Sequence, residues 1–462
     1  MPHGVLSDFV ETTASRLGLP GVAVGVWSDG AESYACHGVT SIDNPLPVDQ
    51  HTLFAVGSVT KTFTATALLR LVAEGRIALD APVRRYVPDL ELASEASAAT
   101  ITVLQLLNHT AGLRWRMNVD TGEGDDALAR EVAQLCDSKL VAPPGIRASY
   151  SQAGYNLAGR IVEIVTGRTY ERAVAALLLE PLGMTESFFA RDNIMTRRFA
   201  VGHSLGDDGV LSVARPWRHW RSDNPGGGLA SSLADQMRWA RFHLSDGRAH
   251  GGEQILPAES LRRMAEKTVA LRGSTLGDAI GICWFLRDVA GVRTIGHEGS
   301  ANGQFASVLM VPARSFAVVA LSNAGPDSGI AFNQTIVRWA LEHYLGVIDR
   351  DPEPLPYDDA RAREVVGTYE NEMMTVTIGV DRAELTVECE IRPEIRAAAK
   401  AALPPNLPPA GLGLLPGNAD DYIITSGGLK GQRGFFSRDA NGAVVGVDLA
   451  GRLFNRVLTS SE

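Results

Sequence analysis

Strand-forming runs lie near both ends of the first 345 residues, and a long helical stretch separates them. At the start, Gly21–Trp27 and Glu32–Gly38 flank Ser28-Asp29-Gly30, which predicts a β-hairpin. The later runs are Ile280–Val289, Arg293–His297, Phe305–Val311 and Phe316–Ser322. Residues from about 80 to 270 have the pattern of helices punctuated by turns. A sheet made from these runs must be assembled from non-contiguous parts, which predicts an α/β fold with a large helical insert.

Three other segments of this region have a helical pattern. Residues 4–17 predict an amphipathic helix, and residues 330–345 predict a helix after the last strand. The segment Ser58–Glu74 predicts a third helix, with Gly75 as its C-terminal glycine. We expect these helices to flank the sheet.

The composition changes at a charged, proline-rich connector, Asp349–Pro356. Beyond it, short strands between Gly, Asp and Asn turns are predicted at Glu372–Val387, Tyr422–Thr425, Gly434–Ser437, Ala443–Leu449 and Arg452–Leu458. The proline-rich stretch Leu403–Pro416 is expected to be a long exposed loop. We therefore predict two domains, with residues 1–348 forming the α/β unit, 349–360 a linker, and 361–462 a small antiparallel β-barrel.

The charge and composition exclude several classes of protein. The chain has 43 Lys+Arg and 53 Asp+Glu residues, and this acidic balance argues against a nucleic-acid partner. No apolar run reaches the roughly 20 residues of a membrane span, and the N-terminus lacks the pattern of a signal peptide. The chain has four cysteines, Cys36, Cys136, Cys283 and Cys389. They lie too far apart in the sequence for a typical metal site. We expect a cytoplasmic protein with free thiols, no membrane contact, and no metal or organic cofactor.

The segment Ser58-Val59-Thr60-Lys61 is the most informative chemical feature. It opens a predicted helix, so Ser58 and Lys61 share one helix face. Serine becomes a nucleophile when a neighbouring base takes its proton, and a desolvated lysine amine can serve as that base. The helix N-terminus adds N–H donors for a developing oxyanion. The alternative is a serine that caps the helix and a lysine that faces solvent.

Two further segments carry residues suited to proton transfer. Tyr150-Ser151-Gln152 supplies a phenol that can act as a general base or acid. His297-Glu298-Gly299-Ser300 ends a predicted strand and supplies an imidazole that can hold or move a proton. Each residue taken singly is more often structural. The chain contains no HExxH, Walker A or strand-linked GxGxxG motif, so this ordered combination is its best candidate for catalysis.

The ordered combination resembles the serine β-lactamase and penicillin-binding-protein superfamily, in its branch of class C β-lactamases, D-aminopeptidases and esterases. The resemblance covers about residues 5–345 and extends to Leu106–Leu113, Pro181–Met184 and Asn224–Leu229. It implies a β-lactamase/transpeptidase-like sheet flanked by helices. The segment Val366–Glu370 and the closing Gly451–Arg456 resemble the lipocalin-like barrel appended to some of these hydrolases. Such a domain either reaches over the cleft and restricts substrates or only packs against the enzyme.

The same resemblance implies roles for individual residues. Ser58 would form a covalent acyl-enzyme, and Lys61 and Tyr150 would share the general-base and general-acid steps, with their order left open. The backbone N–H groups of Ser58 and Ser300, the latter just after Gly299, would form the oxyanion hole.

Two positions depart from the pattern of that superfamily. Gln152 stands where an asparagine is usual, and its amide is expected one methylene further out, which alters the acyl pocket. His297 replaces the lysine of the KTG triad, and a neutral imidazole holds a substrate carboxylate less firmly than a lysine does. The HxG pattern resembles D-aminopeptidases and related hydrolases rather than efficient β-lactamases.

Other aromatic residues are weaker candidates. Trp217, His219 and Trp220 either line an apolar substrate cleft or pack beneath the helical insert. His109 is more typical of a residue that stabilises a turn than of a catalyst.

We therefore predict a serine hydrolase or acyl-transferase that acts on amide or ester bonds of small peptides through acyl-Ser58. The HxG resemblance implies D-configured substrate residues. Three alternatives remain: a penicillin-binding-protein-type thioesterase that releases and macrocyclises a nonribosomal peptide, a broad carboxylesterase, and a sensor that is acylated without turnover. The thioesterase would need a peptidyl carrier protein as its partner.

Overall fold

The fold is that of a computed structural model, which describes residues 3–115, 120–206, 209–215, 217, 220–249, 251–398, 406–417 and 420–457. The α/β unit contains the helices α1 (His3–Arg16), α2 (Thr60–Ala73), α3 (Glu95–Thr100), α4 (Val103–Leu107), α5 (Ala127–Ala133), α6 (Gln152–Thr166), α7 (Tyr170–Val174), α8 (Arg191–Met195), α9 (Asn224–Gly227), α10 (Leu233–His243), α11 (Ala258–Met264) and α12 (Asp327–Leu345). Its strands are β1 (Gly21–Ser28), β2 (Ala31–Gly38), β3 (Leu53–Ala55), β4 (Ser187–Phe188), β5 (His203–Leu205), β6 (Leu211–Val213), β7 (Ala230–Ser232), β8 (Val269–Ser274), β9 (Gly277–Ile280), β10 (Phe285–Val289), β11 (Val292–Ala301), β12 (Gln304–Val311), β13 (Phe316–Ser322) and β14 (Ala324–Gly325).

An eight-stranded antiparallel sheet forms the centre of this unit, in the order β2-β1-β13-β12-β11-β10-β9-β8. Strand β1 pairs with β13 so that Val22 lies opposite Ser322, which joins the two ends of the unit. The predicted sheet of non-contiguous parts and the predicted β1–β2 hairpin are both confirmed. The predicted run Ile280–Val289 is wrong as a single strand, because a tight turn at Gly281–Trp284 separates β9 from β10.

Apolar side chains cover both faces of the central strands. In β13, Phe316 and Val318 pack towards α1 and α12, whereas Ala317 and Val319 pack towards α2, α10 and the helical insert. This alternation follows from the two-residue period of a strand, and it explains why β13 is buried at every position and apolar from Phe316 to Leu321. The sheet is therefore the middle layer of three.

One end of β11 positions the candidate site. Among the described residues, β10 pairs with β11 only as far as Gly296. The remaining segment of β11, His297–Ala301, pairs with β12 on one side. On its other side lies the 3₁₀ turn Gly57–Val59, which precedes α2. The sheet thus brings the two predicted catalytic segments into contact.

The C-terminal part forms a closed barrel of eight antiparallel strands, as predicted. The strands are β15 (Gly367–Glu370), β16 (Met374–Asp381), β17 (Glu384–Ile391), β18 (Leu407–Leu414), β19 (Asp421–Ile424), β20 (Arg433–Arg438), β21 (Val444–Leu449) and β22 (Arg452–Arg456), accompanied by α13 (Asp359–Val365) and α14 (Pro393–Ala398). The domain boundaries stay a prediction. In the connector, Asp349 still belongs with the α/β unit, because Arg287 of β10 donates to it at 2.7 and 2.9 Å.

The expectation of an exposed loop at Leu403–Pro416 is wrong, because this stretch supplies β18. Val387 of β17 pairs with Ala410, and Cys389 pairs with Leu407, so the register shifts between these pairs. The two prolines, Pro408 and Pro409, lie in this bulge, where the ladder does not need their missing N–H groups.

Across the described ranges, no helix combines the length and the apolar character that a membrane crossing requires. The longest helix, α12, has 19 residues and packs one face against the sheet. The four cysteines are free thiols.

Candidate active site

Ser58 lies in the 3₁₀ turn that opens α2. The Thr60 hydroxyl fixes this turn, because it donates to the carbonyl oxygen of Gly57 at 2.6 Å and accepts from the N–H of Leu229 at 3.1 Å. Ser58 is partly exposed, whereas the residues on either side of it are buried. The hydroxyl is therefore the part of this turn that a substrate can reach.

Lys61 is fully buried below Ser58. Its side chain therefore does not face solvent, as it would if Ser58 were only a helix cap beside an exposed lysine. Its Nζ lies 3.3 Å from Ser58 Oγ. The same nitrogen donates to Gln152 Oε1 and to the carbonyl oxygen of Gly226, each at 2.6 Å. Because these two carbonyls engage two N–H groups, loss of a proton leaves the lone pair of Nζ directed at Ser58.

Tyr150 reaches the nucleophile from the start of α6. Its side chain lines the same cleft as Ser58 and interacts with that serine, and its ring centroid lies 4.9 Å from Lys61 Nζ. Burial raises the pKa of Tyr150 above its usual value of 10, and this effect exceeds the opposing effects of Ser58 and Arg452. The phenol is therefore protonated at neutral pH and is suited to act as an acid.

His297 is buried on the other side of Tyr150. Its Nδ1 donates to the backbone carbonyl of Glu298 at 2.6 Å, and its ring stacks on Phe285 with centroids 4.5 Å apart. Burial, together with the charge of Lys61, lowers the pKa of His297 to about 3. His297 is therefore a neutral imidazole. Within the described part of the chain, its Nε2 has no hydrogen-bond partner.

The approach of β11 to the nucleophile depends on Gly299. A Cβ atom at this position would lie 2.0 Å from the carbonyl oxygen of Val56 and 2.8 Å from the backbone nitrogen of Ser58. Only glycine permits such a close approach of two backbones. The following residue, Ser300, lines the same cleft as Ser58.

Replacing Gly299 with alanine is expected to force β11 away from the nucleophile. Because a displacement of about 1 Å can reduce a rate about 100-fold, we expect kcat/KM to fall by about that factor, together with a lower Tm. Gly4→Ala is the matched control, since a Cβ atom there meets nothing closer than 4.0 Å. Steady-state kinetics and thermal melts test this, and a Gly299→Ala enzyme with the kinetics of the control would contradict it.

The cleft above Ser58 has a volume of about 300 Å³. Its polar wall contains Ser58, Tyr150, Gln152, Asp223, Ser300 and Arg452, and its apolar wall contains Trp115, Ile194, Trp217, Trp220 and Leu229. Trp217 and Trp220 thus line the cleft, and Trp217 also packs on Phe199 with centroids 5.5 Å apart. His219 lies outside the described residues.

Sequence reasoning missed Arg452, which comes from the barrel. Ala450 and Gly451 form a two-residue turn between β21 and β22, and the carbonyl oxygen of Gly451 accepts from the N–H of Tyr150 at 2.8 Å. The Arg452 guanidinium lies 4.2 Å from the Trp115 ring and 5.2 Å from the Tyr150 ring. The barrel therefore reaches into the cleft and places a cation there, which the neutral His297 does not supply.

Two other candidates have clear structural positions. His109 is buried beneath the site, where its Nδ1 accepts from the N–H of Ser151 at 3.1 Å and its ring lies 4.4 Å from that of Tyr150. The Gln152 amide does not extend outwards as expected, because it turns inwards between Lys61 and Asn156.

Comparisons with known proteins agree with this fold. The family described as Beta-lactamase matches residues 6–341. Penicillin-binding protein 4 of Amycolatopsis lactamdurans is 34% identical over 365 residues, which cover 77% of this chain and 94% of that protein. A solved structure of SurE with D-Leu is 25% identical and covers 98% of this chain and 99% of that chain, with a TM-score of 0.73. The D-amino acid amidase of Ochrobactrum anthropi SV3 shares the fold of the α/β unit, with 24% identity, coverage of 72% and 95%, and a TM-score of 0.62.

Proposed function

The chain belongs to the beta-lactamase family, and on that premise we propose that it cleaves amide or ester bonds of small peptides through an acyl-Ser58 intermediate. The observation that carries this proposal is the convergence of three residues. Lys61 Nζ lies 3.3 Å from Ser58 Oγ, and Tyr150 lines the same cleft with its ring centroid 4.9 Å from Lys61 Nζ. A nucleophile, a base and an acid are thus in mutual contact.

In the first step, the Lys61 amine takes the proton of Ser58, and Oγ attacks the carbonyl carbon of the substrate. The backbone N–H groups of Ser58 and Ser300 stabilise the oxyanion of the tetrahedral intermediate. Lys61 is assigned as the base because its Nζ lies 3.3 Å from Ser58 Oγ, whereas burial favours the protonated phenol of Tyr150.

In the second step, the intermediate collapses and the carbon–nitrogen, carbon–oxygen or carbon–sulfur bond to the leaving group breaks. Tyr150 donates its proton to that group, and the Lys61 ammonium returns a proton to the phenolate. Water or an amine then attacks the acyl-enzyme, and the same residues move the protons in reverse.

The cleft supports a substrate with an apolar residue next to the scissile bond. Trp115, Trp217 and Trp220 provide a surface for such a side chain. The preference for a D-configured residue rests on the HxG resemblance and on the SurE structure that contains D-Leu.

A matched competition between peptidyl thioesters ending in D-Leu or L-Leu tests this function. The N-acetylcysteamine thioester replaces a peptidyl carrier protein, and intact mass and chromatography follow the acyl-enzyme and the products. We expect D-Leu to be preferred and water to be the acceptor. A product without added water would identify a macrocyclising thioesterase. Equal use of both substrates would identify a broad esterase, and an acyl-enzyme that persists would identify a sensor.

Replacing Arg452 with glutamine is expected to weaken the binding of substrates that carry a free carboxylate in the cleft. Loss of a charge-assisted hydrogen bond should lower kcat/KM about 10- to 100-fold for the carboxylate substrate, and less than about 3-fold for its amide-capped analogue. Steady-state kinetics on the matched pair measure the difference. Equal losses of kcat/KM on both substrates would show that Arg452 does not bind the substrate carboxylate.

A further inference from the structure

A chain of buried polar side chains continues from Lys61 into the protein. Gln152 Oε1 accepts from Lys61, and Gln152 Nε2 donates to Asn156 Oδ1 at 3.1 Å. Asn156 Nδ2 then donates to both oxygens of Glu131, at 2.8 and 2.9 Å, and to Asp223 Oδ1 at 3.0 Å. Asn156 and Glu131 are nearly inaccessible, with 1% and 2% of their surface exposed.

The two carboxylates determine the direction of this chain. Three carboxyl oxygens of Glu131 and Asp223 surround one end of the Asn156 amide, and carboxyl oxygens are chiefly acceptors, so this end is the amide nitrogen. Its oxygen then faces Gln152 and can only accept, so the nitrogen of Gln152 must point to it. The oxygen of Gln152 is consequently left for Lys61.

Gln152 requires such a constraint more than a shorter amide would. Glutamine has one more rotatable bond than the asparagine usual at this position, and a reversed amide would direct N–H groups at Nζ. Gly226 leaves the space that the Gln152 amide occupies, because a Cβ atom at position 226 would lie 1.9 Å from Gln152 Nε2.

We propose that Asn156, held by Glu131 and Asp223, is a positioning residue that orients the Gln152 amide and thereby directs the Lys61 amine at Ser58. This inference rests on the proposed function, in which Lys61 is the base. Glu131 acts one step further away, through Asn156.

Asn156→Leu tests the proposal, because leucine has a similar size but can neither donate nor accept. The matched control is Asn333→Leu, since Asn333 is also a buried asparagine, with 5% exposure, and lies on α12 behind the sheet. A fluorophosphonate probe phosphonylates Ser58 with loss of fluoride, and labelling to completion counts the active sites. Single-turnover reaction with the D-Leu thioester then gives the acylation rate per site. Kinetics on the D-Leu substrate separate kcat from KM.

We expect Asn156→Leu to lower acylation per active site about 10- to 100-fold with KM within about 2-fold of wild type, and the control to lower only Tm. Acylation per site within about 2-fold of wild type would overturn the proposal. If the probe does not label Ser58 of the wild type, the proposed function fails instead.

A crystal structure of Asn156→Leu then decides the positioning role by itself. Gln152 Oε1 should lie beyond the roughly 3.5 Å reach of a hydrogen bond from Lys61 Nζ, and an unchanged contact overturns the inference.

Discussion

Replacing Ser58 with alanine is expected to abolish covalent labelling by fluorophosphonates and to lower kcat by at least about 10⁴-fold. The variant keeps the cleft and the N–H donors but has no atom that can form the acyl-enzyme. Removal of the serine nucleophile from a serine protease lowers kcat about 10⁶-fold, so a loss of at least about 10⁴-fold is expected here. Intact mass after probe treatment and steady-state rates on the D-Leu substrate measure both quantities.

Ser212→Ala serves as the control, because Ser212 is an exposed serine on β6. It should keep full labelling and full activity. Labelling of Ser58→Ala at the wild-type level would remove Ser58 from the mechanism and with it the proposed acyl-enzyme.

Replacing Tyr150 with phenylalanine is expected to slow amide cleavage about 10²- to 10⁴-fold, because an amine leaves only after it is protonated. The loss on a thioester should be much smaller, since a thiolate leaves without a proton. Lys61→Met should instead slow acylation by both substrates, because both need an activated Ser58. Parallel kinetics on an amide and a thioester of the same peptide measure these differences.

The pH profile provides a further check on the same assignment. Burial lowers the pKa of His297 to about 3, so its titration should not affect rates between about pH 5 and 8. Burial also raises the pKa of Tyr150, so the phenol should remain an active acid up to at least about pH 9.

For the Tyr150→Phe kinetics, equal losses on the amide and the thioester would contradict the role of Tyr150 as the acid for the leaving group.

The predictable part of the site is the part that is local in the sequence. Ser58 and Lys61 lie one helical turn apart, so their proximity follows from helix geometry alone. The contact between Ser58 and Tyr150 required the family resemblance, because it depends on how α6 packs against α2. The sheet was predictable for a similar reason, since its strands have clear alternation and clear turns.

Arg452 and β18 show where sequence reasoning failed. Arg452 lies in a strand whose local pattern only indicates a barrel, and its role depends on the docking of one hairpin onto Tyr150 from the other domain. Strand β18 contains two adjacent prolines, which normally exclude a strand, and only the bulge opposite Glu388 accommodates them. The inward turn of Gln152 likewise depends on Asn156 and Gly226, which the sequence does not mark as its neighbours.

The most direct test of the central claim is to stop the reaction with the D-Leu thioester within one turnover and map the modified peptide by mass spectrometry. The account predicts a peptidyl adduct on the peptide that contains Ser58, formed at a rate no slower than turnover. An adduct on another residue, or turnover without any adduct at Ser58 in single-turnover experiments, would contradict it.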